Sequence, residues 1–185
     1  MHKSTRIRRL LAASSVFAAG GLLLLPAPTV AQPAAAPTRV AEGTYQIVNV
    51  QTGKCMTVAG GTTTANNHPL VQFDCDDHPS RRWDVTDEDD GAFRIVNGQT
   101  RKCATVAGGV TTANNHPLVQ FDCDDHPSRR WRITNGDGTS FQIVNGQTGK
   151  CATVAGGTTT ANNHPLVQFD CDDHPSRRWF LRLAG

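Results

Sequence analysis

The order of hydrophobic and polar positions predicts an all-β chain. Residues 45–49 alternate apolar and polar side chains and are rich in β-branched and aromatic types, as expected of a half-buried strand. Three more short strand-like segments follow at 55–59, 70–74 and 81–86. Loops rich in Gly, Thr, Asn, Asp and Pro separate them. No stretch has the sustained periodicity of a helix, so the sequence favours short strands joined by turns.

The same pattern occurs three times at an interval of 48 residues. Among the 29 positions from Cys55 to Trp83, only those of Met56 and Thr62 differ between the copies. A period of this length indicates a repeat architecture. Three units are too few for an ordinary propeller of about four to eight blades, so we expect closure on a threefold axis. Four strands per copy then give twelve strands without exposed sheet edges. The predicted lobes are residues 43–90, 91–138 and 139–185.

The six cysteines follow the repeat and allow fifteen pairings. Threefold symmetry leaves three of these, each joining a first-type cysteine to a second-type one. Pairing within the lobes closes the shortest loops, and in the chain-entropy model a loop of about 20 residues contributes about 3 kcal/mol. That pairing is Cys55–Cys75, Cys103–Cys123 and Cys151–Cys171.

The N-terminal segment predicts export from the cell. Basic residues precede an apolar stretch from Leu10 to Leu25, and small residues follow as far as Ala31, as in a secretory signal peptide. A membrane helix is the alternative, but the stretch is short and no stop-transfer charges follow it. We expect cleavage after Ala31, a flexible Pro/Ala-rich leader over 32–42, and a secreted protein in an oxidising environment that favours disulfides.

Removal of the signal peptide changes the charge. The signal holds four of the 18 basic residues and none of the 16 acidic ones, which leaves 14 against 16 and a net charge of −2. No basic field remains to attract nucleic acid or an anionic membrane, so neither is expected as a partner. No bound cofactor is expected, and the chain is expected to act as a monomer.

Several segments of each lobe together resemble the ricin B-type lectin repeat. They are the first strand at 45–49, Gly53–Val58, Val71–Cys75 and Arg81–Trp83. The match covers the whole predicted domain in triplicate, and the spacings between the cysteines and from cysteine to tryptophan agree. The resemblance implies a β-trefoil with intralobe disulfides that binds sugars, often galactose or xylan-type, in one shallow pocket per lobe.

The sugar-binding positions that the resemblance implies are only partly retained. The family's Asp corresponds to Thr57 and its Asn-Gln pair to Ser80 and Arg81, whereas its stacking aromatic is retained as Phe73. We therefore expect the fold to carry over more safely than the galactose chemistry. The equivalent positions are Thr105, Ser128, Arg129 and Phe121 in the second lobe and Thr153, Ser176, Arg177 and Phe169 in the third.

A sugar site needs an apolar plate for the C–H face of the ring and hydrogen-bonding groups around it. Phe73 is the candidate plate if Leu70 faces the core. In the alternative, Val71 and Phe73 form the core pair and Leu70 turns outward. Thr57 points outward if its two neighbours face inward, either toward a ligand or as an ordinary strand-surface residue. Trp83 is expected in the core.

The acidic loop of each lobe offers the remaining polar groups. Asp76 or Asp77 is a candidate acceptor for sugar hydroxyls in place of the missing Asp. In the alternative, both cap turns and pair with Arg81 or Arg82. Arg81 is also a candidate for contact with a polar or anionic sugar, and residues 66–68 are placed to reach the same site. The candidate set is Thr57, Phe73, Asp76, Asp77 and Arg81, with Thr105, Phe121, Asp124, Asp125, Arg129, Thr153, Phe169, Asp172, Asp173 and Arg177.

The sequence offers three alternatives to sugar binding. The cluster at 74–78 contains metal-competent residue types, but its spacing matches neither a zinc nor an EF-hand site. A catalytic triad of Asp77, His78 and Ser80 is disfavoured, because side chains adjacent in one turn are expected to diverge, and no enzyme activity is expected. A non-sugar trefoil interaction module, such as a protease inhibitor or protein ligand, is the alternative to a multivalent carbohydrate-binding module.

Overall fold

A computed structural model describes residues 39–88, 90–135 and 137–185, so the predicted signal peptide lies outside the described part. These described ranges confirm the predicted all-β fold and contain twelve strands and three short 3-10 helices. Within the described ranges, no helix is long and apolar enough to cross a membrane. The strands are β1 Gly43–Asn49, β2 Cys55–Val58, β3 His68–Phe73, β4 Arg82–Asp87, β5 Phe93–Asn97, β6 Cys103–Val106, β7 His116–Phe121, β8 Arg130–Asn135, β9 Phe141–Asn145, β10 Cys151–Val154, β11 His164–Phe169 and β12 Trp179–Leu183.

Strand pairing produces a closed barrel capped by three hairpins. Strands β1, β4, β5, β8, β9 and β12 pair in a ring, because β12 returns to β1. Strands β2–β3, β6–β7 and β10–β11 are hairpins, and β3, β7 and β11 also pair with one another. This is the predicted β-trefoil. Every strand of the ring and of the cap has neighbours on both sides, so the fold leaves little free edge for association.

The three tryptophans fill the centre of the core. Trp83 and Trp179 have no exposed surface, and Trp131 is 1% exposed. The Nε1 atom of Trp83 donates a 2.9 Å hydrogen bond to the Met56 carbonyl, and the other two indoles make the same bond in their lobes. Leu70 joins this cluster, whereas Phe73 lies outside it and is partly exposed. Of the two expected strand orientations, the one with Leu70 inward is therefore present.

The three disulfides connect the second strand of each lobe to the loop after its third strand. They join the predicted intralobe pairs, with Cα–Cα distances of 5.1 Å in every lobe. Each bond fixes the end of the hairpin that carries the partly exposed phenylalanine. The disulfides therefore help to hold the pocket wall described below.

Buried polar side chains link one lobe to the next. The Nε2 atom of Gln72 donates to the carbonyls of Thr159 and Ala161, at 2.8 and 2.9 Å, in the long loop of the third lobe. Its Oε1 accepts from the Thr52 hydroxyl at 2.9 Å. Gln120 and Gln168 make the same contacts, each to the long loop of the preceding lobe. The long loop of each lobe is therefore attached to its neighbour.

The last four residues of the predicted leader, 39–42, contact the domain. Arg39 forms an ion pair with Asp87 at 2.5 Å, and Glu42 accepts a 2.7 Å hydrogen bond from the Asp87 backbone N–H. The Tyr45 hydroxyl donates to the Ala41 carbonyl at 2.9 Å. This end of the leader is therefore attached to the barrel.

Candidate functional site

Each lobe carries a shallow pocket where its second strand, its glycine-rich loop and its 3-10 helix meet. The pocket volumes are about 330, 280 and 350 Å³ in the first, second and third lobes. The repetition of the sequence thus produces three similar concave sites. The first is lined by Thr57, Val58, Gly60, Gly61, Phe73, His78, Arg81 and Asn163.

The pocket wall is a phenylalanine stacked under an arginine. The Arg81 guanidinium carbon lies 4.3 Å from the Phe73 ring centroid, and the other lobes show 4.4 and 4.3 Å. This distance is within the range of cation–π attraction. Arg81 is only 8% exposed, and its Nε lies 3.2 Å from Asp76 Oδ1. Asp76 thus faces the arginine and is not among the residues that line the pocket.

The Ser80 hydroxyl connects three side chains beneath the pocket. It lies 3.0 Å from Thr57 Oγ1, 2.9 Å from His78 Nδ1 and 2.8 Å from Arg81 Nη1. The expectation that His78 and Ser80 diverge was wrong, because the 3-10 helix Pro79–Arg81 turns Ser80 back under the ring. Ser80 is fully buried, so its hydroxyl has a structural role here.

Thr57 contributes to the pocket floor, with its hydroxyl committed to the protein. The residue is 1% exposed, and Oγ1 also donates to the Ser80 carbonyl at 3.0 Å. Met56 and Val58 face the core as expected. The Thr57 side chain was expected to point outward from the strand. It lies under the 3-10 helix, where its hydroxyl already has hydrogen-bond partners.

Hydrogen bonds fix the tautomer of the pocket histidine. The Ser80 backbone N–H donates to His78 Nδ1 at 3.2 Å, in addition to the hydroxyl contact. An Nδ1 that accepts hydrogen bonds leaves the proton of a neutral ring on Nε2. The same arrangement occurs at His126 and His174. Each pocket histidine thus has a hydrogen-bond donor at Nε2.

One residue of each pocket comes from a different lobe. Asn163 of the third lobe lines the first pocket, Asn67 the second, and Asn115 the third. All three have φ of 60°, and the Asn163 backbone N–H donates to the Gln72 carbonyl at 2.9 Å. Asn tolerates this left-handed conformation better than most residues. Sequence reasoning placed residues 66–68 near a site, but nothing in the local pattern could indicate that the site belongs to the neighbouring lobe.

Asp77 and its equivalents lie outside the pocket lining. Asp77 is fully exposed and lies 3.9 Å from Arg82, and Asp173 pairs with Arg178 at 2.9 Å. Asp125 instead pairs with Arg94 at 3.3 Å. In the first and third lobes, Gln46 and Gln142 donate hydrogen bonds to the Asp76 and Asp172 carbonyls of the acidic loop. In the second lobe, the acidic loop is held by the ion pair with Arg94 instead.

Comparison with known proteins agrees with this geometry. A family profile described as the ricin-type beta-trefoil lectin domain matches residues 43–179. The chain belongs to the ricin-type β-trefoil lectin family. A comparison with curated protein sequences gives no match.

Solved structures of low sequence identity share the ricin-type fold. The designed threefold-symmetric protein ThreeFoil is 19% identical, with a TM-score of 0.73 over 77% of this chain and 99% of its own. The Rhizoctonia solani agglutinin is 16% identical, with a TM-score of 0.70 over 80% of this chain and 100% of its own. The Macrolepiota procera ricin B-like lectin, solved with lactose, is 16% identical, with a TM-score of 0.66 over 80% and 100%.

Beside each pocket, this ricin-type chain has a polar contact between lobes. Asn162 Nδ2 donates to Asp74 Oδ2 at 2.7 Å, and the Lys54 ammonium contacts the other oxygen. The Asn162 bond, followed by Lys54, lowers the pKa of the Asp74 carboxyl below its ordinary value. The same contact joins Asn66 to Asp122 and Asn114 to Asp170, with the same direction of pKa shift. It holds the Asn-bearing loop against the adjacent lobe.

Residues 39–88, 90–135 and 137–185 contain no group of three His, Cys, Asp or Glu side chains that could hold a metal ion. The cluster at 74–78 is instead divided among local partners. Cys75 is in a disulfide, Asp76 faces Arg81, and His78 caps the 3-10 helix. The donor atoms of the cluster are therefore directed to different neighbours.

Proposed function

We propose that this protein is a secreted carbohydrate-binding module that engages glycans through three equivalent shallow pockets. The observation that carries the proposal is the threefold recurrence of a partly exposed phenylalanine beside unpaired polar groups in a concave site. An aromatic ring can support the apolar face of a sugar, while surrounding polar groups bond its hydroxyls. Membership of a lectin family and the lactose complex of one structural neighbour support this function.

Three weak sites on one rigid body favour a polymeric ligand. When one pocket holds a repeating polysaccharide, the second binding event occurs at high effective concentration, so avidity exceeds the affinity of one site. The pockets are shallow and their lining is divided between two lobes, which suits a single sugar residue per pocket. Three disulfides and the predicted signal peptide support action outside the cell.

The test is a glycan array followed by polysaccharide pull-down, with the triple variant Phe73→Ala, Phe121→Ala and Phe169→Ala. The variant is expected to fold and to lose binding, because each pocket loses its apolar wall. Variants altered in one or two lobes should lose avidity stepwise. Phe180→Ala is the matched control, since Phe180 on β12 is 42% exposed and is not among the residues that line the pockets.

Two results would overturn the proposal. One is a triple variant that folds and binds a glycan as well as the original protein, which would place the site elsewhere. The other is inhibition of a protease panel by a protein that binds no glycan, which would support the alternative of a non-sugar interaction module.

A further inference from the structure

The three pockets lack the acidic side chain that a neutral sugar usually meets in a lectin site. Among the described residues, those lining the pockets include an arginine and a histidine in every lobe and no Asp or Glu. Sugar hydroxyls both donate and accept, so a site for a neutral sugar gains from a carboxylate acceptor. The composition of these pockets therefore favours a different ligand chemistry.

The oxygen and nitrogen acceptors beneath the pocket are already occupied. Thr57 Oγ1 and Ser80 Oγ bond to each other, and His78 Nδ1 accepts from Ser80. Asp76 lies 3.2 Å from Nε of Arg81 and accepts from the His78 backbone N–H at 3.0 Å. The side-chain acceptors directly beneath the pocket are thus bound within the protein, and Asp76, whose two contacts both use Oδ1, is not among the residues that line it.

Hydrogen-bond donors, in contrast, remain available. Within the described ranges, no atom accepts a hydrogen bond from Nη2 of Arg81 or from the Asn163 side chain, and His78 keeps its proton on Nε2. Arg81 is 8% exposed, and an amino group that no protein atom satisfies is left to water or to a ligand. Asn163 offers both a donor and an acceptor, so the excess of donors comes from Arg81 and His78. A ligand rich in acceptors complements this set.

We propose that each pocket binds a sugar carrying a negative charge, either the carboxylate of a uronic acid or a sulfate ester, an inference that rests on the proposed carbohydrate-binding function. The anionic group accepts hydrogen bonds from Arg81, with help from His78 and Asn163. The planar guanidinium of arginine is suited to binding two oxygens of a carboxylate or a sulfate at once. The sugar ring then lies along Phe73. In the other lobes the same roles fall to Arg129 with His126 and Asn67, and to Arg177 with His174 and Asn115.

The experiment compares charged polysaccharides with neutral counterparts of the same backbone. Polygalacturonate is compared with its carboxyl-reduced form, and dextran sulfate with dextran, by pull-down and by titration at fixed ionic strength. We expect at least one charged polymer to bind about tenfold or more tightly than its neutral counterpart, because charge-assisted hydrogen bonds are about twice as strong as neutral ones. The pair that shows selectivity identifies carboxylate or sulfate as the ligand group.

The location of the binding site is tested by adding a negative charge to each pocket. The variant Asn67→Asp, Asn115→Asp and Asn163→Asp keeps side-chain size and tolerates φ of 60°, while adding one acidic group per pocket. It should lose most of the binding to the charged polymer. The matched control is Gln51→Glu, Gln99→Glu and Gln147→Glu, which adds the same charges at exposed positions outside the pocket lining. It should bind nearly as well as the original protein.

The outcomes separate this inference from the proposed function. Equal or tighter binding of both neutral polymers overturns the inference and leaves the lectin function standing. Equal losses in the Asn and Gln variants mean that long-range charge governs binding, which overturns the placement in the pockets. Absence of binding to every neutral and charged glycan tested overturns both proposals.

Discussion

The buried centre of the trefoil and its three pockets use polar side chains in opposite ways. At the centre, the amide of Gln72 bonds to two carbonyls of the third lobe and to the Thr52 hydroxyl. At the pocket, Asn163 has no side-chain partner among the described residues, and neither does Nη2 of Arg81. Both regions come from the same repeat and both join two lobes. The difference indicates which contacts maintain the fold and which are available to a ligand.

The energetic reason lies in the cost of unpaired polar groups. A buried polar atom without a partner costs about 1–3 kcal/mol, so buried groups in stable regions are nearly always paired. The central glutamines follow this rule. The pocket asparagines Asn67, Asn115 and Asn163 are exposed, and their side-chain amides have no partner among the described residues, so they lie free at a surface that a ligand can reach.

Removal of a central tryptophan should have the largest effect. Trp83→Ala is expected to lower the free energy of unfolding by about 3–5 kcal/mol, because it leaves a cavity in the core and removes the indole bond to the Met56 carbonyl. Phe73→Ala should cost clearly less, since that ring is partly exposed. Denaturant unfolding of both variants measures the difference. A Phe73 variant as unstable as the Trp83 variant would contradict the division.

Loss of a buried inter-lobe amide should have an intermediate effect. Gln72→Leu is expected to cost about 1–3 kcal/mol, because the Thr159 and Ala161 carbonyls lose their donor. Asn163→Asp at the pocket should change stability by less than about 0.5 kcal/mol. Urea titrations monitored by tryptophan fluorescence measure both. Comparable costs at the two sites would show that the pocket asparagine is also part of the structural framework.

Acid should weaken the contact between lobes beside each pocket, with a small effect. The pKa of Asp74 in the folded protein is lowered by Asn162 and then Lys54. Its stabilising contribution is therefore complete above the unfolded pKa of about 3.9 and is lost as pH falls through the lower folded value. We expect the free energy of unfolding to decline below about pH 4. The Asn66→Ala, Asn114→Ala and Asn162→Ala variant should decline less steeply, and an unchanged slope would exclude this contact as a cause.

Much of the fold followed from local patterns. Alternation located the strand ends within two residues, and the largest differences are at the starts of the first strand, at Gly43, and of the third strand, at His68. The 48-residue period indicated threefold closure, and symmetry with loop length indicated the disulfides. These features depend only on residues that are close in sequence or on the repeat itself. Their physical causes, strand alternation and identical packing of identical units, act on any chain with this pattern.

The pocket was less predictable, because it depends on where turns direct the chain. Alternation correctly separated Thr57 from the core, but the 3-10 helix that covers its hydroxyl has no periodic signal. Arg81 lies beside the acidic loop, 3.2 Å from Asp76, which was one of the expected alternatives, but its stacking on Phe73 depends on where the 3-10 helix Pro79–Arg81 places it. The position of Asn163 in another lobe's pocket depends on the cap in which β3, β7 and β11 meet.

The contrast between the buried glutamines and the pocket asparagines can be measured by NMR of the side-chain amides while a glycan recovered from the array is titrated into the protein. We expect the amide signals of Asn67, Asn115 and Asn163 to shift with ligand, whereas those of Gln72, Gln120 and Gln168 stay in place. Shifts of the central glutamines without shifts of the three asparagines would contradict it.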